Sequence, residues 1–234
     1  MEQYIFEATV GAQKVRAAVM VGRMNPPTAG HYKVIDTMKT FIRKNPNLQL
    51  AVTPIVVVVA GEKTSRDKSK NPLSAEERVK FMSSSGRANG VQFIIADSAF
   101  AAFEEVRKAG FEPIAVAAGS DRIDRYMELL DKYFTKDGEK IQHVAIPGLE
   151  REGDGGETDK GKTMKKALDA LKTGNDIDVS EVSGSLARHA VELGYEEEFA
   201  QIVGLGKKPK LAKMMFDKVK ASLGTPEKDD NGTD

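Results

Sequence analysis

The chain has 234 residues, of which 40% are hydrophobic and 30% charged, a balance that supports one α/β domain with a buried core. It contains no cysteine, which excludes disulfide frameworks, thiolate metal sites and cysteine nucleophiles. Its 35 Lys and Arg residues equal its 35 Asp and Glu residues, so no net positive charge attracts nucleic acid or an anionic membrane. The longest apolar run, Ile55–Ala60, is too short to span a bilayer, and the N-terminus lacks a signal-peptide pattern. We therefore expect a soluble, cytoplasmic protein.

Strand patterns and helix patterns alternate along most of the chain, which is typical of a parallel sheet. The pattern predicts five strands, at Val15–Val21, Ile55–Ala60, Val91–Ala96, Pro113–Ala118 and Ile141–Ile146. It predicts helices between them, at His31–Arg43, from Ser74 through Met82, at Ala99–Ala109 and at Arg122–Phe134. The predicted fold is α/β, a doubly wound, Rossmann-like parallel sheet of five strands with a helical C-terminal extension.

The chain changes in character after the fifth predicted strand. The segment Gly148–Lys162 is rich in glycine and acidic residues and has no apolar periodicity, so we predict a flexible insert there. Helical patterns then return in four segments, at Thr163–Leu171, Ser185–Leu193, Glu196–Val203 and Lys208–Leu223. We assign residues 1–203 to one α/β domain, 204–223 to a C-terminal helix and 224–234 to a disordered tail.

The loop after the first strand has the composition of a phosphate-binding turn. It reads GRMNPPTAGH, from Gly22, which lets the chain turn off the strand, to His31. In an open parallel sheet, ligands bind beyond the carboxyl ends of the strands, and the N–H groups that begin the next helix favour phosphate. Thr28 and His31 would add donors to phosphate oxygens. Alternatively these two residues only cap the helix, and their spacing alone favours neither interpretation.

Part of this loop resembles a signature of the nucleotidylyltransferase superfamily. Thr28–His31 is similar to the (H/T)xGH motif of that superfamily, with Thr28 at the first His position and His31 at the second. Far downstream, Val182–Arg188 resembles its (I/V)SxTxxR element, with Ser185 in place of the usual Thr. The hydroxyl and the arginine would meet a phosphate at a second helix start.

Two further segments lie between these motifs. Lys70–Ser74, followed by Glu77 and Arg78, resembles a KNPLSxxER run of phage-encoded adenylyl- or cytidylyltransferase-like proteins. Gly119–Arg122 resembles the GxD(R) turn of the superfamily. The elements occur in the order of the superfamily across most of the chain, and the set is most similar to nicotinamide-nucleotide adenylyltransferases and phage-encoded relatives.

The resemblance implies a reaction. A nucleotidyl group would pass from an NTP, ATP being favoured, to a phosphorylated small-molecule acceptor, nicotinamide mononucleotide being favoured, with release of pyrophosphate. The acceptor would attack in line without a covalent intermediate, so catalysis is positioning and charge stabilisation. Mg²⁺ carried by the nucleotide phosphates is the implied cofactor; His143 and His189 lack metal-ligand spacing, so we predict no metal site in the protein.

The residues implied in the site fall into three groups. The catalytic group is His31, Thr28 and Arg188. The nucleotide-binding group is Gly22, Arg23, Met24, Asn25, Gly30, Gly119, Asp121, Ser183 and Ser185. The acceptor-binding group is Lys63, Lys70 and Arg122. We expect no nucleic-acid or membrane partner, and a homo-oligomer stays open.

Other interpretations remain at this point. CTP could replace ATP, and the acceptor could be phosphopantetheine, glycerol phosphate, choline phosphate or flavin mononucleotide. The chain could instead be a non-catalytic nucleotide-binding or structural protein on the same fold, including one from a phage, so a bacterial or a phage-infected cytoplasm is the expected location. A flavodoxin-like or redox protein is disfavoured because GxGxxG is absent.

Overall fold

A computed structural model describes residues 15–45, 52–119, 122–133, 135–136, 139–140, 144–147, 167–171 and 182–224. Its strands are β1 (Val15–Gly22), β2 (Val52–Val59), β3 (Gln92–Ala96), β4 (Phe111–Ala118), the short pair β5 (Thr135–Lys136) and β6 (Glu139–Lys140), and β7 (Val144–Pro147). Its helices are α1 (Ala29–Lys44), α2 (Glu62–Arg66), α3 (Ala75–Ser84), α4 (Ala99–Lys108), α5 (Ile123–Tyr133), α6 (167–171), α7 (Gly184–Glu192), α8 (Glu196–Ile202) and α9 (Pro209–Leu223).

The main sheet is parallel, with the strand order β3-β2-β1-β4-β7. Four of its strands, β1 to β4, have five to eight residues each, and β7 adds a four-residue strand at the β4 edge. The predicted α/β fold with a parallel sheet is confirmed. The strand order places β1 in the centre, with β2 on one side and β4 on the other. Because the strands are parallel, the loops after these three strands lie together at the carboxyl ends of the strands.

Helices cover both faces of the sheet, and the alternation of side chains along β1 shows how. Ala18 and Met20 pack in one buried cluster with residues of α1 and α3. Ala17 and Val19 point to the opposite face and pack with residues of α4 and α5. Because successive side chains of a strand point to opposite faces, a strand covered on both sides must be apolar throughout. This is why the buried parts of β1 and β2, from Ala17 and from Ile55 onwards, are apolar on both faces.

The C-terminal helices form a third buried cluster that is shared with α3. Leu73 and Phe81 pack with side chains of α7, α8 and α9, and within this cluster the rings of Phe199 and Phe216 meet edge to face at 5.4 Å. An ion pair of 2.9 Å between Lys218 Nζ and a Glu77 carboxylate oxygen joins α9 to α3 on the outside. Packing against α3 brings the start of α7 towards the loops that follow β1 and β2.

Several predicted boundaries are wrong by a few residues. Helix α1 begins at Ala29, not His31, because Thr28 has the extended backbone of an N-cap (φ −129°, ψ 168°). Strand β2 begins at Val52, before the apolar run used to predict it. The last strand is Val144–Pro147, and residues 141–143 of its predicted range lie outside the described residues. Helix α2 falls in a segment predicted as a loop.

The predicted insert Gly148–Lys162 and the predicted tail from residue 225 onwards lie outside the described residues. So do residues 163–166, at the start of the predicted helix Thr163–Leu171. None of the helices in the described part of the chain is long and apolar enough to span a bilayer.

Candidate functional site

The loop after β1 is anchored in the core by Met24. This residue has a left-handed backbone (φ 52°), which is uncommon for a residue other than glycine, and its side chain is buried. Gly22 makes room for it, since a Cβ at position 22 would lie 3.1 Å from Met24 Cε. The next peptide bond, Asn25–Pro26, is cis. Gly22 and Met24 thus shape the loop, and the predicted contact of each with a nucleotide stays a prediction.

The buried side chain of Asn25 ties this loop to the one that precedes α3. Its Nδ2 donates to the carbonyl oxygen of Leu73 at 2.8 Å, and its Oδ1 accepts from the Leu73 N–H at 3.0 Å. Both hydrogen-bonding groups of the Asn25 amide and both backbone groups of Leu73 are therefore used. Each would cost about 1–3 kcal/mol if it were left buried without a partner, so this pairing fixes the separation of the two loops.

His31 and Thr28 form the N-terminal cap of α1. The Thr28 N–H donates to His31 Nδ1 at 3.0 Å, and the Thr28 Oγ1 lies 2.8 Å from the same nitrogen. A backbone N–H can only donate, so Nδ1 is the acceptor and the neutral ring carries its proton on Nε2. The capping interpretation left open by the sequence is present in the geometry. It also prepares the ring as an Nε2 donor, so capping and phosphate binding are compatible.

The start of α7 meets the same loop. Ser183 caps the helix, accepting from the Leu186 N–H at 3.1 Å. Arg188 donates from Nη1 to the Asn25 carbonyl oxygen at 2.7 Å and from Nη2 to Ser185 Oγ at 3.1 Å. The first of these bonds joins residues 163 positions apart in the chain. The structure thus brings the two predicted motifs together at the loop after β1.

Positive charge is concentrated where the two motifs meet. Burial lowers the pKa of the Arg188 guanidinium, and the charge of Arg23 lowers it further. Arg23 is exposed and Arg188 half-buried, so both can face a ligand. Two neighbouring cations repel each other, and a bound anion would relieve that repulsion. Two exposed or half-buried cations at one loop suit an anionic ligand.

A sequence profile of the family described as cytidylyltransferase-like matches residues 19–147, more than half of the chain. The chain belongs to the cytidylyltransferase-like family. Membership places it in the nucleotidyltransferase superfamily and supports nucleotidyl transfer as its general chemistry. The match covers the sheet from β1 to β7 and includes His31, whereas Arg188 lies beyond its end. A search of curated proteins finds no match to this chain.

Sequence reasoning missed the role of one residue of this cytidylyltransferase-like protein, Arg78. Its Nη1 donates to the carbonyl oxygens of Arg23 and Val59, the latter at 2.9 Å, and its Nε donates to the Ser74 carbonyl oxygen at 3.0 Å. A signal was available in the sequence. Arg78 lies three and four positions before Phe81 and Met82, so it shares their buried side of α3.

The predicted acceptor-binding residues lie on the surface around this edge of the sheet. Lys70 is exposed and pairs with Asp67 at 2.9 Å. The hydroxyl of Ser69, together with Lys70, lowers the pKa of Asp67 to about 2. Arg122 is exposed, and its N–H donates to the Gly119 carbonyl oxygen at 3.0 Å, just after β4. Lys63 is in α2 but its side chain is outside the described residues, as is Asp121.

The remaining predicted residues belong to helix ends. Gly30 is buried in the first turn of α1, and Ser185 is exposed in the first turn of α7. Among the residues that the structure describes, no group of three or more His, Asp or Glu side chains is placed to hold a metal ion.

Proposed function

We propose that the protein transfers a nucleotidyl group from an NTP, with ATP favoured, to a phosphorylated small-molecule acceptor, with nicotinamide mononucleotide favoured. The observation that carries the proposal is the hydrogen bond from Arg188 to the Asn25 carbonyl oxygen. This bond brings an arginine and two serines from the end of the chain to the loop that holds His31. Family membership supplies the general reaction, and the choice of substrates rests on the resemblance of the motifs.

Two helix N-termini support binding of a triphosphate at this place. Helix α1 begins shortly after the carboxyl end of β1, and a Cβ built on Gly184, the first residue of α7, would lie 3.0 Å from Asn25 O. Helix N-termini carry partial positive charge and N–H groups without helical partners, and both favour phosphate oxygens. Together with Arg23 and Arg188, they would place positive charge on more than one side of a bound nucleotide.

The proposed chemistry needs no covalent step on the protein. An oxygen of the acceptor phosphate attacks the α-phosphorus, the bond to the bridging oxygen breaks, and pyrophosphate leaves with that oxygen. The Nε2–H of His31 would stabilise the negative charge that develops on the phosphate oxygens. Thr28 is fully buried, so we assign its hydroxyl to holding the His31 ring and not to the phosphate. Mg²⁺ would enter with the nucleotide, bound to its phosphates.

The test is a grid of pyrophosphate-release assays with Mg²⁺. ATP and CTP are each paired with nicotinamide mononucleotide, phosphopantetheine, glycerol phosphate, choline phosphate and flavin mononucleotide, and each nucleotide alone is the control. We expect release above the control with one acceptor, largest for ATP with nicotinamide mononucleotide. Another productive pair would change the substrates but keep the reaction. Nucleotide binding without release in any pair would contradict the proposed reaction.

A second candidate, a nucleotide-binding protein without turnover, is favoured by one specific observation. The side chains of His31 and Arg188 already have partners within the protein, at Thr28 and at Asn25. These contacts would keep both residues useful to the fold even if the chain catalysed nothing. The grid above separates the two candidates, because a binder retains nucleotide affinity and releases no pyrophosphate.

Gly184 permits a close approach that the proposed site needs. A Cβ at this position would lie 3.0 Å from Asn25 O and 3.4 Å from Arg188 Nη1. We expect Gly184→Ala to push the start of α7 away from the loop and to weaken nucleotide binding about tenfold, because misplaced contacts lose binding energy steeply. The free energy of unfolding should fall by about 0–2 kcal/mol, since overpacking costs about 1–3 kcal/mol and alanine regains about 1 kcal/mol of helix propensity.

The matched control is Gly206→Ala, because a Cβ at Gly206 would meet no atom within 4 Å. Calorimetric titration with ATP and CTP measures the affinity, and thermal unfolding measures the stability. Equal nucleotide affinities for the Gly184→Ala and Gly206→Ala proteins would show that the close approach of α7 does not matter for binding.

A further inference from the structure

Arg78 is among the most deeply buried large side chains of the protein. Only 2% of its surface is exposed, although it carries a guanidinium. Charged side chains are almost never buried to this degree unless they are paired. Burial lowers the pKa of Arg78 to about 10, so the group is still positively charged at neutral pH. A buried positive charge of this kind is costly unless other groups compensate it.

The partners of Arg78 in the described part of the chain are dipoles and not charges. Its guanidinium donates to three backbone carbonyl oxygens, those of Arg23, Val59 and Ser74, and none of the ion pairs among the described residues includes it. The acidic residue that acts on it is Glu76, which is exposed and accepts a hydrogen bond from the Ser74 hydroxyl. Carbonyl dipoles solvate the cation, but they leave its charge in place.

The three carbonyls belong to segments that build the candidate site. Arg23 is in the loop after β1, Val59 is the last residue of β2, and Ser74 caps α3. All three lie where ligands bind in an open parallel sheet, beyond or at the carboxyl ends of the strands. The charge of Arg78 is therefore located beneath the loop that carries Arg23 and Asn25. An anion held by that loop would feel this charge at low local dielectric.

We propose that Arg78 is a positioning residue of the phosphate site whose buried positive charge is balanced by the phosphates of the bound nucleotide. Its hydrogen bonds hold the loop after β1 against the end of β2, and its charge increases the affinity of that loop for anions. This inference rests on the proposed function, since it takes a nucleoside triphosphate as the ligand. The proposed site would then have three arginines: the exposed Arg23, the half-buried Arg188 and the buried Arg78.

The experiment separates the charge of Arg78 from its hydrogen bonds. Arg78→Gln keeps an amide donor and removes the charge, whereas Arg78→Lys keeps the charge and loses the planar set of donors. The control is Arg107→Gln. Arg107 is exposed in the last turn of α4, which leads into the amino end of β4 and so lies away from the carboxyl ends of the strands. Affinity for ATP and for CTP is measured by calorimetry, and thermal unfolding with circular dichroism verifies the fold of each variant.

We expect Arg78→Gln to weaken nucleotide binding about tenfold, Arg78→Lys to weaken it less than about threefold, and Arg107→Gln to leave it unchanged. Equal weakening by Gln and Lys would overturn the inference, because the loss would then follow from geometry alone. Unchanged affinity in Arg78→Gln would overturn it as well. If Arg78→Gln does not fold, Arg78→Lys decides, since a tenfold loss in that folded, charged variant contradicts the inference. Absence of any nucleotide binding by the parent protein would instead contradict the proposed function, and this inference with it.

Discussion

Replacing His31 with alanine is expected to lower the rate of pyrophosphate release by at least about 100-fold, the effect of removing one donor that acts in the transition state. The structure supplies the physical reason. His31 Nδ1 accepts the Thr28 N–H at 3.0 Å, so the ring is held with its proton on Nε2, the atom that would donate to a phosphate oxygen in the proposed reaction. The measurement is steady-state release of pyrophosphate with the substrate pair that the grid identifies.

A second variant separates this chemistry from the capping role of the same residue. In His31→Asn the side-chain oxygen can take the place of Nδ1 and accept the Thr28 N–H, but the Nδ2 donor of this shorter side chain does not reach the position of His31 Nε2. We expect the free energy of unfolding of the asparagine variant to lie within about 0.5 kcal/mol of the parent's. We expect its activity to fall as far as that of the alanine variant. The alanine variant should in addition be about 1 kcal/mol less stable than the parent, because it lacks the side chain that accepts the Thr28 N–H. Near-normal turnover in the folded asparagine variant would remove His31 from the mechanism.

Replacing Arg188 with methionine is expected to lower kcat/KM for the nucleotide about 100-fold. Arg188 joins Asn25 O and Ser185 Oγ through two different nitrogens, at 2.7 Å and 3.1 Å, and these contacts direct a cation towards the loop after β1. Methionine has a similar length but no charge and no donor, so it loses the contact with the loop and would also lose the proposed contact with a phosphate. Part of the loss should appear as a higher KM for the nucleotide.

Lysine at the same position tests whether the planar guanidinium matters. A single ammonium cannot reproduce two donors in one plane, so we expect Arg188→Lys to recover about a tenth of the parent's kcat/KM at most. Ser185→Ala removes the partner of Arg188 within the helix and one proposed nucleotide-binding hydroxyl, and we expect the smaller loss of one neutral hydrogen bond, within about threefold. A change confined to the KM of the acceptor would assign Arg188 to the acceptor instead of the nucleotide.

The fold could be predicted from sequence where the relevant forces act over short stretches of chain. The runs in β1 and β2 are apolar on both faces, which only a covered parallel strand requires, and the structure has them in the middle of the sheet. The N-terminal cap of α3 could also be predicted from sequence. The side chains of Ser74 and Glu77 hydrogen-bond to each other's backbone N–H, as their spacing predicts. Boundaries were less accurate, as with α1, because a polar N-cap such as Thr28 and a residue in the first turn look alike in sequence.

The residues of the candidate site were recognised as members of motifs, but the sequence did not say which polar groups would meet. Thr28 looked like a donor to phosphate, yet tertiary packing buries it completely and turns its hydroxyl to the His31 ring. Asn25 was predicted to bind the nucleotide, which stays a prediction, and the structure shows that its side chain links two loops. The role of Arg78 was hidden because its partners are carbonyl oxygens, and every residue carries one.

The sequence by itself determined the α/β class, the parallel strands and the two motifs, because hydrophobic periodicity and turn chemistry are local properties of the chain. Only the tertiary structure decided that Asn25 meets Leu73, 48 residues away, and that Arg188 meets Asn25, 163 residues away. Such contacts follow from the way α3 and α7 share one buried cluster, and no pattern within a single segment encodes them. Burial and pairing of polar groups are properties of the packed chain, and they bring two separate motifs together at one loop.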